Sequence, residues 1–284
     1  PERTPASYSV ATLKGPTGMG LASLMDKAAK GETANTYAFT LAGDPTAVSA
    51  SVIKGEVDIA CVPVNLASVL YTKTNGAYVC VAVNTLGVLH IIEKGESVNS
   101  IADLKGKTLY TAGQGSNPEY ILRYILEKNG LDPDKDLKIE FVASNDEITA
   151  AVLSGKADLV MIAEPAATTI LKKAEGFRRA LDISAEWDKV CETPLMMGCV
   201  VVRADFLSEH EDAVKAFLKE YEKSIKACDN ASATAKLCES EGIIPAAAIA
   251  EAALDGCNIT YVAGEDMKKG VSEYFKVLFD ADPT

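Results

Sequence analysis

Two stretches of this chain, residues 47–65 and 147–165, are one pattern written twice: AVSASVIKGEVDIACVPVN and EITAAVLSGKADLVMIAEP. Laid over each other, Gly55 falls on Gly155 and Asp58 on Asp158, 100 residues apart. In each copy an apolar helical stripe (Val48 and Val52, Ile148 and Val152) runs into a glycine. An acid follows, then a short unbroken apolar run, then a proline. A helix that stops on glycine and feeds a fully buried strand is half of a βαβ unit. Finding the device twice predicts two similar α/β lobes, with the loops after the two strands as walls of a shared cleft.

The rest of the chain agrees with that reading. Strand-like segments fall at 8–13, 37–41, 57–62, 78–83, 88–93, 108–110, 138–142, 157–162 and 195–203. Helical patterns at 20–29, 46–54, 66–73, 119–129, 147–154 and 166–174 alternate with the earlier ones. Such alternation predicts mostly parallel sheets flanked by helices. After Arg203 the pattern turns helical. Ser208 followed by Glu211 reads as a capping box that opens a helix to about Ala227, with further helices at 231–241, 246–254 and 265–279. If the chain crosses between lobes near 84–87 and again near 196–200, this tail packs on the first lobe. The predicted division is therefore 1–86 plus 200–284 for lobe one and 87–199 for lobe two, with the ligand cleft between them.

Bulk properties narrow the function. A length of 284 residues suits two ordinary domains, and no apolar run approaches the ~20 residues that cross a bilayer. The first five residues, PERTP, read as a trimmed linker, so the lack of an export signal carries no information. With 40 acidic against 28 basic side chains the net charge is −12, which opposes binding to nucleic acid or to an anionic membrane surface. Seven cysteines at 61, 80, 191, 199, 228, 238 and 257 show neither a CxxC nor a zinc-site spacing, so no metal is expected. Cys61, Cys80 and Cys199 read as small buried hydrophobes, and Cys228 with Cys238 is the one pair considered, without a disulfide being predicted.

Ligands of open parallel sheets bind beyond the carboxyl ends of the strands. Five loops satisfy that condition: Lys14-Gly15-Pro16-Thr17-Gly18-Met19, Ala42-Gly43-Asp44-Pro45, Pro63-Val64-Asn65, Gly113-Gln114-Gly115-Ser116-Asn117 and Ala163-Glu164-Pro165. Most open onto helix N-termini, whose free N–H groups hold carboxylate, sulfonate or phosphate oxygens. The glycines of GPTGMG lack nucleotide-fingerprint spacing. Asp44 and Asn117 precede prolines and serve equally as N-caps. Asp58 and Asp158, at strand starts, read as acceptors for turn N–H groups. Glu164, at the end of a buried strand, is expected to point into the cleft. His90 and His210 are separated by pattern, and no GxSxG, HExxH or P-loop occurs.

The run Ile101-Ala102-Asp103-Leu104-Lys105-Gly106-Lys107-Thr108 resembles the entry to the second lobe of type II periplasmic substrate-binding proteins. Gly115-Ser116, the EKNGLDPDKDL segment, GKAD from Gly155 and Glu164-Pro165 follow in the family's order, and KGEVDIACVPVNLASVLYTKTNG resembles the matching part of the first lobe. The similarity covers about residues 8–225 and is nearest to the nitrate, alkanesulfonate, taurine and thiamine-pyrimidine-precursor group. It implies a monomeric, two-lobed Venus-flytrap receptor of the extracytoplasmic space. That receptor delivers a small molecule to an ABC importer permease without a cofactor, and touches membrane only through an N-terminal lipid anchor. The alternative is an enzyme on the same fold. The pyrimidine-synthase branch carries a cysteine-rich iron-binding motif absent here, and menaquinone-pathway enzymes share the fold.

The candidate ligand residues are Thr17, Gly18, Met19, Gly43, Asp44, Asn65, Asn84, Thr85, Gln114, Gly115, Ser116, Asn117, Glu164 and Pro165. Their loops hold Asp44, Glu119 and Glu164 against one base, Lys14. That balance predicts a neutral or amine-bearing polar molecule, with Glu164 pairing a donor on it. The single tryptophan, Trp187, lies outside these loops, which disfavours a flavin sandwich.

Overall fold

A computed structural model describes residues 7–283, so the PERTP stretch read as a linker lies outside the described residues. The chain forms two compact units. One holds the chain up to Leu86 together with Met196–Lys268, and the other holds Gly87–Leu195 together with the stretch from Lys269 onward.

The first unit contains β1 (Ser7–Leu13), α1 (Pro16–Met19), α2 (Ala22–Ala29), β2 (Thr36–Ala42), α3 (Pro45–Ile53), β3 (Ile59–Pro63), α4 (Val64–Lys73) and β4 (Tyr78–Leu86). The second contains β5 (Leu89–Lys94), β6 (Thr108–Ala112), α5 (Asn117–Lys128), β7 (Lys138–Val142), α6 (Asn145–Leu153), β8 (Leu159–Ala163), α7 (Ala166–Lys173), β9 (Phe177–Asp182) and α8 (Ile183–Asp188). The chain then returns to the first unit with β10 (Met196–Arg203), α9 (Ala204–Glu209), α10 (Glu211–Lys226), α11 (Ala231–Ser240), α12 (Ala247–Ala253) and β11 (Ile259–Val262). It ends in α13 (Gly264–Ala281).

The two sheets repeat one topology. Their orders are β2-β1-β3-β10-β4-β11 and β7-β6-β8-β5-β9. In the first, β1, β2, β3 and β4 share a direction while β10 and β11 oppose it. In the second, β6, β7, β8 and β9 run together and β5 alone opposes. The opposed strand takes fourth place in both because it is the one that enters each sheet directly from the other unit.

The doubled sequence device is realised at an offset of 100 in every boundary that matters: α3 against α6 and β3 against β8. Gly55 and Gly155 have φ of 73° and 74°, the left-handed conformation that a side chain disfavours. There Gly55 N–H donates to Val52 O and Glu56 N–H to Ser51 O, while Gly155 N–H donates to Val152 O and Lys156 N–H to Ala151 O. These paired bonds stop the helix and turn the chain into the strand. Asp58 takes up the N–H (2.8 Å) and hydroxyl (2.9 Å) of Ser9 on β1 and pairs with Arg203 (3.2 Å), so its N–H partner lies on a neighbouring strand rather than in its own turn.

Three expectations change. Ser208 does not cap the long helix: its hydroxyl donates to Asp205 O inside the short α9, and α10 starts after His210 with no side-chain cap. The apolar residues around Phe206 fold into a separate turn first, which the S-x-x-E pattern could not reveal. Strands β9 and β11 were not foreseen, because FRRALD places two arginines mid-strand and ITYV is only four half-buried residues; both lie at sheet edges. The returning strand joins the first unit at Met196 rather than at 200, and α13 leaves that unit after Lys268. In the second unit Tyr274 of α13 meets Trp187 edge-to-face at 6.0 Å, and Glu273 accepts from Thr193 at 2.6 Å. Trp187 is fully buried with its indole N–H on Thr193 O (2.8 Å). An aromatic of that size stabilises by on the order of 5 kcal/mol through burial, enough to hold the helix end there.

Candidate functional site

In the second unit a cavity of about 270 Å³ opens at the carboxyl ends of β6 and β8. Leu89, Thr111, Ala112, Gly113, Pro118, Ser144, Asn145, Met161 and Ala163 line it. Strand alternation explains the set: Met161 and Ala163 face the cavity, whereas Ile162 belongs to the core cluster on the other face. Two helices begin at its rim. α5 opens at Ser116 without a side-chain cap, its serine hydroxyl donating to Gly113 O (2.7 Å). α6 opens at Ser144, whose oxygen accepts from Glu147 N–H (3.2 Å), while the Glu147 carboxylate takes the N–H of Ala143, the residue before the cap (3.0 Å). The positive ends of two helix dipoles thus meet one cavity, and none of its named lining side chains is charged.

The acids near it are already engaged. Glu119 is buried and accepts from Gly115 N–H (2.7 Å) and from Arg123 (2.7 Å). Glu164 is buried and accepts from Arg179 and from Thr168 N–H (3.0 Å). Because Glu164 N–H continues the ladder to Val88 O, its side chain falls on the α7 face, opposite Ala163. The donor that the fold gives Glu164 is Arg179 of the edge strand β9, across β5, and Glu164 is absent from the cavity lining. In the first unit, Asp44 is exposed and caps α3 through Thr46 N–H (2.7 Å) and Ala47 N–H (3.3 Å). The Thr46 and Ala47 amides bring its carboxyl below the usual range.

The first unit repeats the geometry. Thr12 pairs with Cys61 as Thr111 pairs with Met161, both threonines are buried, and each hydroxyl donates to the next carbonyl, 3.1 Å to Leu13 and 3.3 Å to Ala112. Asp44 stands where Ser144 stands in the second unit. Thr17 and Asn65 are half-buried, and Gly43 is exposed beside Asp44. Asn84 and Thr85 are buried, with the Asn84 amide reaching Thr17 O (3.4 Å) and the Thr85 hydroxyl reaching Asn84 Oδ1 (3.3 Å). Met19 is fully buried in the core cluster with Leu21 and Leu24, so its side chain has no path to a ligand. At Gly18 a Cβ would stand 2.6 Å from Leu13 O, which gives that glycine a packing reason. In the second unit Gln114 and Gly115 are exposed, and Ser116, Asn117 and Pro165 are half-buried.

Sequence reasoning missed Thr111, Ser144, Asn145, Met161 and Arg179. The 100-residue offset carried the signal for Ser144, as the counterpart of Asp44. Arg179 carried none, because its edge strand was not recognised. All seven cysteines are free thiols, including Cys228 and Cys238.

The family model of the phosphonate ABC transporter periplasmic substrate-binding protein matches residues 29–249. The chain belongs to this family. As in that family, its place of work is outside the cytoplasm, and among the described residues no helix is long and apolar enough to cross a membrane. A solved ABC transporter protein from Parabacteroides distasonis is similar at 22% identity and a TM-score of 0.82, covering 98% of this chain and 94% of its own. The periplasmic aliphatic sulphonate binding protein SsuA of Escherichia coli is similar at 17% identity and a TM-score of 0.73, over 96% and 88%. At these identities the likeness concerns the fold alone. A curated relative, "Putative binding protein YtlA" of Bacillus subtilis, is 30% identical over 130 residues, 46% of this chain. The match spans 37% of that relative's length.

Proposed function

We propose that this substrate-binding protein captures a small organic oxyanion of the phosphonate or sulfonate type and hands it to the permease of an ABC importer. The observation that carries the reading is the 270 Å³ cavity at the starts of α5 and α6, lined by uncharged groups. The engagement of Glu119 and Glu164 with Arg123 and Arg179 adds to it. Those ion pairs weaken the case for an amine-bearing ligand, because each of the two carboxylates already faces a guanidinium. Backbone N–H groups at two helix starts, with the Ser144 and Asn145 side chains, suit an oxyanion instead. The lining holds no histidine, cysteine, acid or lysine, which supports capture rather than turnover.

Isothermal titration with methylphosphonate, ethanesulfonate, nitrate and an alkylamine control tests the reading. One of the oxyanions binds, and Ser144→Ala weakens it about tenfold, the worth of one hydrogen bond of about 1.4 kcal/mol. Binding of the amine alone, or an oxyanion affinity indifferent to Ser144→Ala and Asn145→Ala together, overturns it. Chemical change of the bound compound would favour an enzyme.

A further inference from the structure

Away from the cavity, the first unit gathers sulfur. Cys80 of β4 and Cys199 of β10 lie on adjacent antiparallel strands, Cys199 opposite Val83 and Cys80 opposite Val201, with a bulge between Val200 and Val201 that draws the diagonal pair together. The Cys199 thiol donates to Cys80, and Cys80 Sγ lies 3.7 Å from Sδ of Met267 at the start of α13. Cys199 is fully buried, Met267 is buried and Cys80 is half-buried, so Cys80 offers the one way in from solvent. By alternation along β10, Cys199 faces away from the Val200 and Val202 side, where Cys61 sits in the main core.

We propose that Cys80, Cys199 and Met267 form a site for a soft monovalent ion, Cu(I) or Ag(I). Two thiolates and a thioether are the donor set such ions select over Ca²⁺, Mg²⁺ or Mn²⁺. With metal–sulfur bonds of about 2.3 Å, a trigonal site needs its sulfurs about 4 Å apart, and the Cys80–Met267 spacing of 3.7 Å is already of that size. No side chain must unfold to form it. Among the described residues no three His, Cys, Asp or Glu side chains converge on a metal position, so the thioether is the third donor here and harder ions lack one. Binding is coordination without electron transfer: each thiol loses its proton to solvent, two protons leave per ion, and the oxidation state of the metal is unchanged.

The test is an anaerobic titration of the reduced full chain with Cu(I) against a chromophoric Cu(I) chelator. Wild type withholds one ion per chain, and binding lowers the pH of a weakly buffered solution. Met267→Leu, which conserves volume and leaves the fold intact, weakens binding about tenfold or more; Cys80→Ser abolishes it. Cys191→Ser, in the other unit, changes nothing. The proposal falls if wild type yields all its copper to the chelator, or if Met267→Leu binds as wild type does.

Discussion

Arg179→Met removes the partner of a carboxylate that water does not reach. Glu164 has a side-chain exposure of 0% against 30% for Arg179, and its other contact is the Thr168 N–H at 3.0 Å. Breaking a buried ion pair from one side costs about 3–5 kcal/mol, because the remaining charge stays buried. Water already screens a third of the guanidinium, so the expected loss is smaller, about 2–3 kcal/mol. The only tryptophan, Trp187, is fully buried in the same unit and reports its unfolding by fluorescence. With a urea dependence of about 2 kcal/mol per molar, the midpoint drops by about 1 M. Glu164→Gln keeps an acceptor for Thr168 N–H and leaves the positive charge where solvent reaches it, so it costs less, about 1–2 kcal/mol. The double variant is more stable than the sum of the two losses by about 1.5 kcal/mol, because each single change has already removed the pair. Arg179→Met within about 0.3 M of wild type, or strict additivity in the double variant, refutes the reasoning.

Three further outcomes follow from the same geometry. Burial raises the Glu93 carboxyl, but Val98 N–H, Ser97 and Arg178 at 2.5 Å outweigh it and bring it below its ordinary value of about 4.3. A carboxyl depressed on folding stabilises above its unfolded value and loses that contribution as pH falls through the folded one. Wild type therefore loses stability below about pH 4.5 more steeply than Glu93→Gln in urea melts. At Gly198 an added Cβ would stand 1.9 Å from Thr85 Oγ1 and 2.6 Å from Asn84 Oδ1, so Gly198→Ala costs about 2–3 kcal/mol in calorimetry and Thr85→Ala recovers part of it. Burial pushes the thiols of Cys61 and Cys238 up to about 12 and Cys228 up to about 11, so iodoacetamide at pH 8 leaves all three unmodified in the native chain and modifies them in urea, by peptide mass.

Most of the fold could be read locally. Helix ends at Gly55 and Gly155, prolines after Asp44 and Asn117, and unbroken apolar runs are short-range signals, and α3, α6, β3 and β8 fell within a few residues of their expected places. The long-range parts were less legible. The capping role assigned to Ser208 failed because Phe206 packs into the core and closes a separate short helix first. The arginines of β9 carried no local signal of their partners, because Glu93 on the adjacent β5 and Glu164 at the end of β8, one strand further, come near them only in the folded sheet.

The sequence by itself determined that there are two α/β units of one design, because helix stops, strand burial and the 100-residue repeat are written in neighbouring residues. Only the tertiary structure decided what the acids mean. A carboxylate counted in a list is a charge awaiting a ligand; the same carboxylate beside Arg123 or Arg179 is neutralised from within. Those arginines reach their acids through an i, i+4 helix step in one case and across sheet strands in the other, and the second distance exists only once the chain has folded.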